Sequence, residues 1–213
     1  MGIINKGILG PVSGKVGTVI GASWKGIPFL RSQATSRRTV FTQPQLEQQA
    51  KFSTSIKFLQ PMTSLLTVSF RDYAVKMSGF NNAMAYTLKN AVAGTYPDYT
   101  VDYSMALISR GDLPNAASPL ASATGGGNVK FNWTNNSGVG KAMPTDKSVL
   151  VVYCPDKKQC IYTTTGADRS IGVSQLNVNP FIGLLVQTYI GFLSTDGRDI
   201  SNSYFTGELT VTG

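Results

Sequence analysis

Cys154 and Cys160 are the only thiols in the chain, and there is no histidine. A chain without histidine lacks the commonest general base, the usual Ser-His-Asp triads and the commonest zinc ligand. Two thiols also cannot ligate, within one chain, a zinc site of three or four thiolates or a cysteine-held iron–sulfur cluster. The C-x5-C spacing is not a CxxC redox motif. Residues 149–153 and 161–165 read as strands, so the two cysteines could face each other across a hairpin. They would then form a disulfide if their Cβ atoms approach within about 4.5 Å; in a reducing compartment they stay free thiols.

The carboxylates offer no better centre. A glycosidase needs two acids facing across a cleft, and no spacing among Glu47, Asp72, Asp98, Asp102 or the later aspartates imposes that. Asp196 to Asp199 lacks the alternating oxygens and terminal Glu of a calcium loop. Ser13–Lys15 and Ser55–Lys57 lack the S-x-x-K spacing. Gly14-Lys15 is followed by Val16, so it is no phosphate loop. The reading is therefore of a protein that is not an enzyme, with no catalytic residue, no metal ligand and no cofactor.

What remains is charge and apolar surface. Only 14% of the 213 residues are charged, against about a quarter in ordinary soluble domains. The net charge of +8 is concentrated at one end. Residues 1–42 contain Lys6, Lys15, Lys25, Arg31, Arg37 and Arg38 and no acid, whereas the rest is nearly neutral. Lys15, Lys25, Arg31, Arg37 and Arg38 are the candidate contacts for an acidic partner, nucleic acid or an acidic surface. The competing reading is a solvated basic segment.

These residues sit on a glycine series: Gly7, Gly10, Gly14, Gly17, Gly21 and Gly26. Glycine costs about 1 kcal/mol against alanine inside a helix, so the spacing predicts an extended arm or hairpin. Strands are expected over 16–20 and 23–31 with a break at Gly21-Ala22. Trp24, Ile27, Phe29 and Leu30 are its apolar anchors for assembly. Thr42 and Gln45 mark a helix start. Helical spacing runs through Leu46, Ala50, Ile56 and Leu59, is broken or kinked at Pro61, and resumes to Met77. A third helix is expected over 82–93. From Tyr99 the period falls to two, predicting a strand over 99–109. Residues 113–122, with Pro114 and Pro119, read as linker, and 128–213 as six or seven short strands.

Two resemblances follow. Residues 129–134 with Trp133, residues 186–192 with Tyr189, and the hairpin at 195–203 resemble a fibronectin type III or immunoglobulin-like domain, which implies that Trp133 and Tyr189 lie in a sandwich core. The whole chain resembles an uncharacterised Bacteroidota family of about this length, through Met1–Gly7, Gly14–Gly17, Ser23–Gly26 and Ile108–Pro114. That kinship implies no assigned activity.

The expected architecture is α+β: a Gly-rich basic arm or hairpin (1–41), a helical region with a strand and linker (42–124), and an Ig-like, fibronectin III-like β-sandwich (125–213). The expected role is a non-catalytic subunit that self-assembles into a virion-like shell, tail or filament through its N-terminal arm, with itself as partner. The alternative is a monomeric binding module for nucleic acid, through the arm, or for glycans, through exposed aromatics. No secretory signal or transmembrane segment is read, so synthesis is expected in the cytoplasm, with release in an assembled particle.

Overall fold

The structure is a computed structural model. It describes every residue except 1, 5, 6, 8, 9, 25, 35, 37–39 and 74–76. The chain forms two compact units, residues 1–43 and 44–213.

The first unit is a four-stranded antiparallel meander, β1 (Ile3–Ile4), β2 (Val12–Val16), β3 (Val19–Trp24) and β4 (Ile27–Ser32), in that spatial order. Its turns fall where glycine permits a positive φ: Gly17 (58°) between β2 and β3, and Gly26 (81°) between β3 and β4. Gly17 holds the first position of its two-residue loop, where a positive φ matches the twist of the strands, and Gly26 the second position of its own. The break expected at Gly21-Ala22 is not there, because β3 runs straight through it. Gly21 serves a close approach instead: a Cβ there would lie 2.0 Å from the Val12 carbonyl oxygen.

The second unit is α+β, with helices on one side of a sheet and a second sheet on the other. Helix α1 (Gln43–Leu59) ends before Pro61 in a 3-10 turn (Gln60–Met62) and continues as α2 (Thr63–Ser69). Helix α3 (Gly79–Asn90) is capped by Ser78, whose Oγ accepts the Asn81 N–H at 3.2 Å. A hairpin of β5 (Val92–Thr95) and β6 (Asp98–Val101) follows. The expected strand over 99–109 thus stops at Val101. Asp102 accepts hydrogen bonds from the backbone and hydroxyl of Ser104, and this Asx-type turn ends the strand.

Seven more strands complete the unit: β7 (Ala117–Thr124), β8 (Asn128–Thr134), β9 (Lys147–Cys154), β10 (Gln159–Thr163), β11 (Val173–Asn177), β12 (Leu185–Leu193) and β13 (Tyr204–Thr210). They form two sheets, β10-β9-β12-β13 and β11-β8-β7. Of residues 113–122, read as linker, the part from Ala117 on lies in β7, an edge strand paired with β8. The division expected after residue 124 therefore falls inside the second unit.

From Val149 onward strand β9 is an unbroken run of Val, Leu, Tyr and Cys, as suits a strand covered on both faces. Val149, Val151 and Tyr153 pack with Phe58, Leu59, Met62, Leu66 and Phe70 of the helical layer. Leu150, Val152 and Cys154 pack with Phe131, Trp133 and Val186 between the two sheets. Trp133 lies there as expected, edge-on to Phe192 at 5.5 Å. Tyr189 is fully buried, but in the other layer: it packs among the helices and donates its hydroxyl to the Tyr103 carbonyl at 2.8 Å. Among the described residues no helix is long and apolar enough to cross a membrane.

Candidate assembly surface

Cross-strand partners point to the same side of a sheet, so the register of the N-terminal meander assigns its faces. Trp24 pairs with Ile27, Ala22 with Phe29, and Ile20 with both Arg31 and Lys15. One face therefore carries Lys15, Ile20, Trp24, Ile27, Phe29 and Arg31. Leu30 pairs with Gly21 and belongs to the opposite face, with Val16 and Val19. The four proposed anchors do not make one patch: three share a face and Leu30 stands behind them. Strand parity carries this signal once the turn after Trp24 is placed at two residues.

Both faces carry large exposed apolar side chains. Trp24 is 54% exposed, Ile27 68%, Phe29 44% and Leu30 62%. Among the described residues of this unit the only buried position is Gly21, so the sheet encloses no side-chain core. Of the basic candidates, Lys15 and Arg31 flank Ile20 on the Trp24 face, while Lys25, Arg37 and Arg38 lie outside the described residues. Hollows of about 460 Å³ along Pro11, Val12, Pro28 and Leu30 and of about 270 Å³ along Val12, Ala22 and Pro28 indent the sheet.

The cysteines lie on a different element. Cys160 pairs with Tyr153, and Cys154 with Gln159. Cys160 thus faces the helical layer and Cys154 the space between the sheets. A register offset of one residue places side chains on opposite faces, and both thiols are free. Burial pushes the Cys160 thiol up to about 12.

A family model matches residues 11–207. The chain belongs to DUF6266, a family of unknown function. No curated protein matches it. The DUF6266 match takes in β2 to β4 of the first unit and nearly all of the second, so it spans the meander together with both layers.

The 108–114 segment, quoted above for its family resemblance, is a strap across the second unit. Leu113 N–H donates to the Ile200 carbonyl, Ser203 N–H to the Ser109 carbonyl, and the Ser203 hydroxyl accepts from Ile108 N–H. A Cβ on Gly111 would lie 1.9 Å from the Ile200 carbonyl oxygen, so only glycine fits. Arg110 lies over the Tyr73 ring at 4.4 Å, and the Tyr73 hydroxyl donates to Asp112. That carboxylate holds the Tyr73 phenol above its ordinary value.

Sequence reasoning also missed Arg169. It is fully buried, pairs with Asp146 at 3.0 Å, donates to Asn136 Oδ1 and the Pro114 carbonyl, and lies 3.8 Å from the Phe192 ring centroid. Its partners come from the loop between β8 and β9, the loop between β6 and β7, and strand β12, so no local pattern could reveal it. The cluster pins loops together.

Proposed function

We propose that the protein is a non-catalytic structural subunit that assembles with copies of itself through the N-terminal meander. The observation that carries this is a four-stranded sheet with large exposed apolar side chains on both faces and no buried side chain among its described residues. A sheet normally becomes stable by burying a face against another layer, and large open apolar patches mark interaction sites.

Charge selects the geometry. Residues 1–43 hold six bases and no acid, whereas residues 44–213 hold thirteen bases and eleven acids. Meander against meander would bring two strongly basic surfaces together. Meander against the near-neutral second unit of a neighbour does not. Such a head-to-tail contact builds rings or filaments rather than closed dimers. The open edge of β4 adds unpaired backbone groups that favour strand addition. For the second unit we favour a fibronectin type III-like sandwich: the orders β11-β8-β7 and β10-β9-β12-β13, with Trp133 on the second strand of the set, support this.

Sedimentation of the full chain as a function of concentration tests the reading. The expected result is species well above the 22.8 kDa of one chain. A single 22.8 kDa species at high concentration and low salt would overturn it.

One observation favours a second reading, nucleic-acid binding: Lys15 and Arg31 share a face with Trp24 and Phe29, a combination of cations and rings that suits single strands. Binding of an oligonucleotide that weakens linearly in log salt, and weakens further in Arg31→Gln, is its signature.

A further inference from the structure

We propose that a cleft between α1, β6 and the β9–β10 turn binds a small anionic polyol, of the size of a sugar phosphate or sugar acid. This site lies within the second unit and is independent of the assembly reading.

The cleft holds about 400 Å³ and is lined by Lys57, Phe58, Tyr99, Tyr103, Tyr153 and Lys158, among others. That volume is at the lower end of ligand sites. A second hollow of about 270 Å³ is also lined by Lys57 and Lys158, so both lysines border both hollows. Neither lysine makes an ion pair among the described residues. Lys51 adds a third positive charge 5.1 Å above the Tyr99 ring. Asp156, in the turn beside Lys158, supplies a negative charge felt by Tyr103, and the three lysines outweigh it.

The second observation is Tyr153. Its side chain is 3% exposed and lines the cleft, and its hydroxyl has no hydrogen-bond partner among the described residues. The hydroxyl is reached by solvent at the cleft, so it is available to donate to, or accept from, a ligand there. Burial raises the pKa of both Tyr153 and Tyr103, so both hydroxyls remain donors. Lys158 holds a left-handed backbone (φ 52°) that glycine or asparagine would adopt more readily, yet a lysine stands there.

The aromatic rings argue for a polyol over a nucleotide. Phe58, Tyr103 and Tyr153 pack against one another at 5.0–5.9 Å, and Lys51 covers Tyr99. Three of these rings are engaged with one another, and one face of the fourth carries an ammonium group. What the cleft offers is charge and hydroxyl edges, with Thr54 and Thr100 beside them.

The test is calorimetric titration of the full chain at low salt with glucose 6-phosphate, glucuronate, glucose and inorganic phosphate. At least one of the two anionic sugars should bind, about tenfold or more tighter than glucose or phosphate, as one charge-assisted hydrogen bond would supply; which of them binds tells phosphate from carboxylate. Lys57→Gln and Lys158→Gln, both at exposed positions, should each weaken binding about fivefold or more, and Tyr153→Phe should weaken it without altering the fold. Three results overturn the proposal: no binding of either anionic sugar at 10 mM (a concentration about a hundredfold above a 0.1 mM site), binding undiminished in the double lysine variant, or phosphate binding as tightly as the tighter-bound of the two anionic sugars.

Discussion

Trp24 and Ile27 are direct cross-strand partners at the closed end of the β3–β4 hairpin, on the same face, and more than half of each is exposed. The pair forms the most prominent apolar step of the meander. If that face makes the contact between copies, Trp24→Ala and Ile27→Ala should each weaken assembly about tenfold or more, as hot-spot aromatics do. Leu30→Ala, on the opposite face, should do little, and Arg31→Ala should act mainly at low salt. Concentration-dependent sedimentation separates these outcomes. Equal losses from Trp24 and Leu30 would mean that both faces are engaged.

Trp133 fills the space between the sheets, meets Phe192 edge-on, and donates its indole N–H to the Arg169 carbonyl at 2.8 Å. Trp133→Ala removes both ring and donor, and should cost roughly 3–5 kcal/mol in urea unfolding. Trp133→Phe keeps much of the packing and should cost less. An alanine variant as stable as the parent would contradict the placement of this side chain.

Arg169 and Asp146 should behave asymmetrically. Asp146→Asn leaves a buried guanidinium without its counter-charge and should destabilise by about 3–5 kcal/mol. Arg169→Met strands the Asp146 carboxylate in the same way. The double variant, with neither charge left alone, should lose clearly less than the sum. A double-mutant cycle reads this directly; additive losses would show that the two residues do not act as a pair.

Alkali should destabilise the fold. Cys160 titrates at about 12 in the folded chain against an ordinary 9.0, and burial also raises Tyr153 and Tyr189 above 10.0. Below the ordinary thiol value both states are protonated and the full stability is present. From about pH 9 upward the unfolded chain releases protons that the folded chain retains, so unfolding is increasingly favoured. The urea midpoint should fall from pH 9 to 11, and Cys160→Ala should flatten the first part of that fall. A midpoint independent of pH over that range would refute the burial of these groups.

Much of this was readable from residue types. Helix boundaries followed Thr42, Pro61 and the apolar spacing between them, and the strands of the last third followed period-two runs and turn residues. The edge strand over 117–124 was hidden by Pro119 and by its run of Ala, Ser and Thr. An edge tolerates proline, and here the pairing slips between Ala117 and Leu120, with Ser118 at φ 46°. Tyr189 was legible as buried but not by its layer, because a strand covered on both faces has no polar side to set the direction. The separation of Leu30 from Trp24 depended on where the turn fell, and one misplaced break in β3 concealed it. The Arg169 cluster and the Tyr153 cleft are assembled from segments distant in sequence, which local patterns do not encode.

The double-sided burial of β9 also sets an order of events during synthesis. The helices of residues 43–90 leave the ribosome well before the strands at 147–193 that cover Phe58, Leu59, Met62 and Phe70. At roughly 5–20 residues per second, that apolar layer waits several seconds for its roof. The nascent chain is therefore most exposed to chaperones, or to wrong partners, in the interval between α3 and β9.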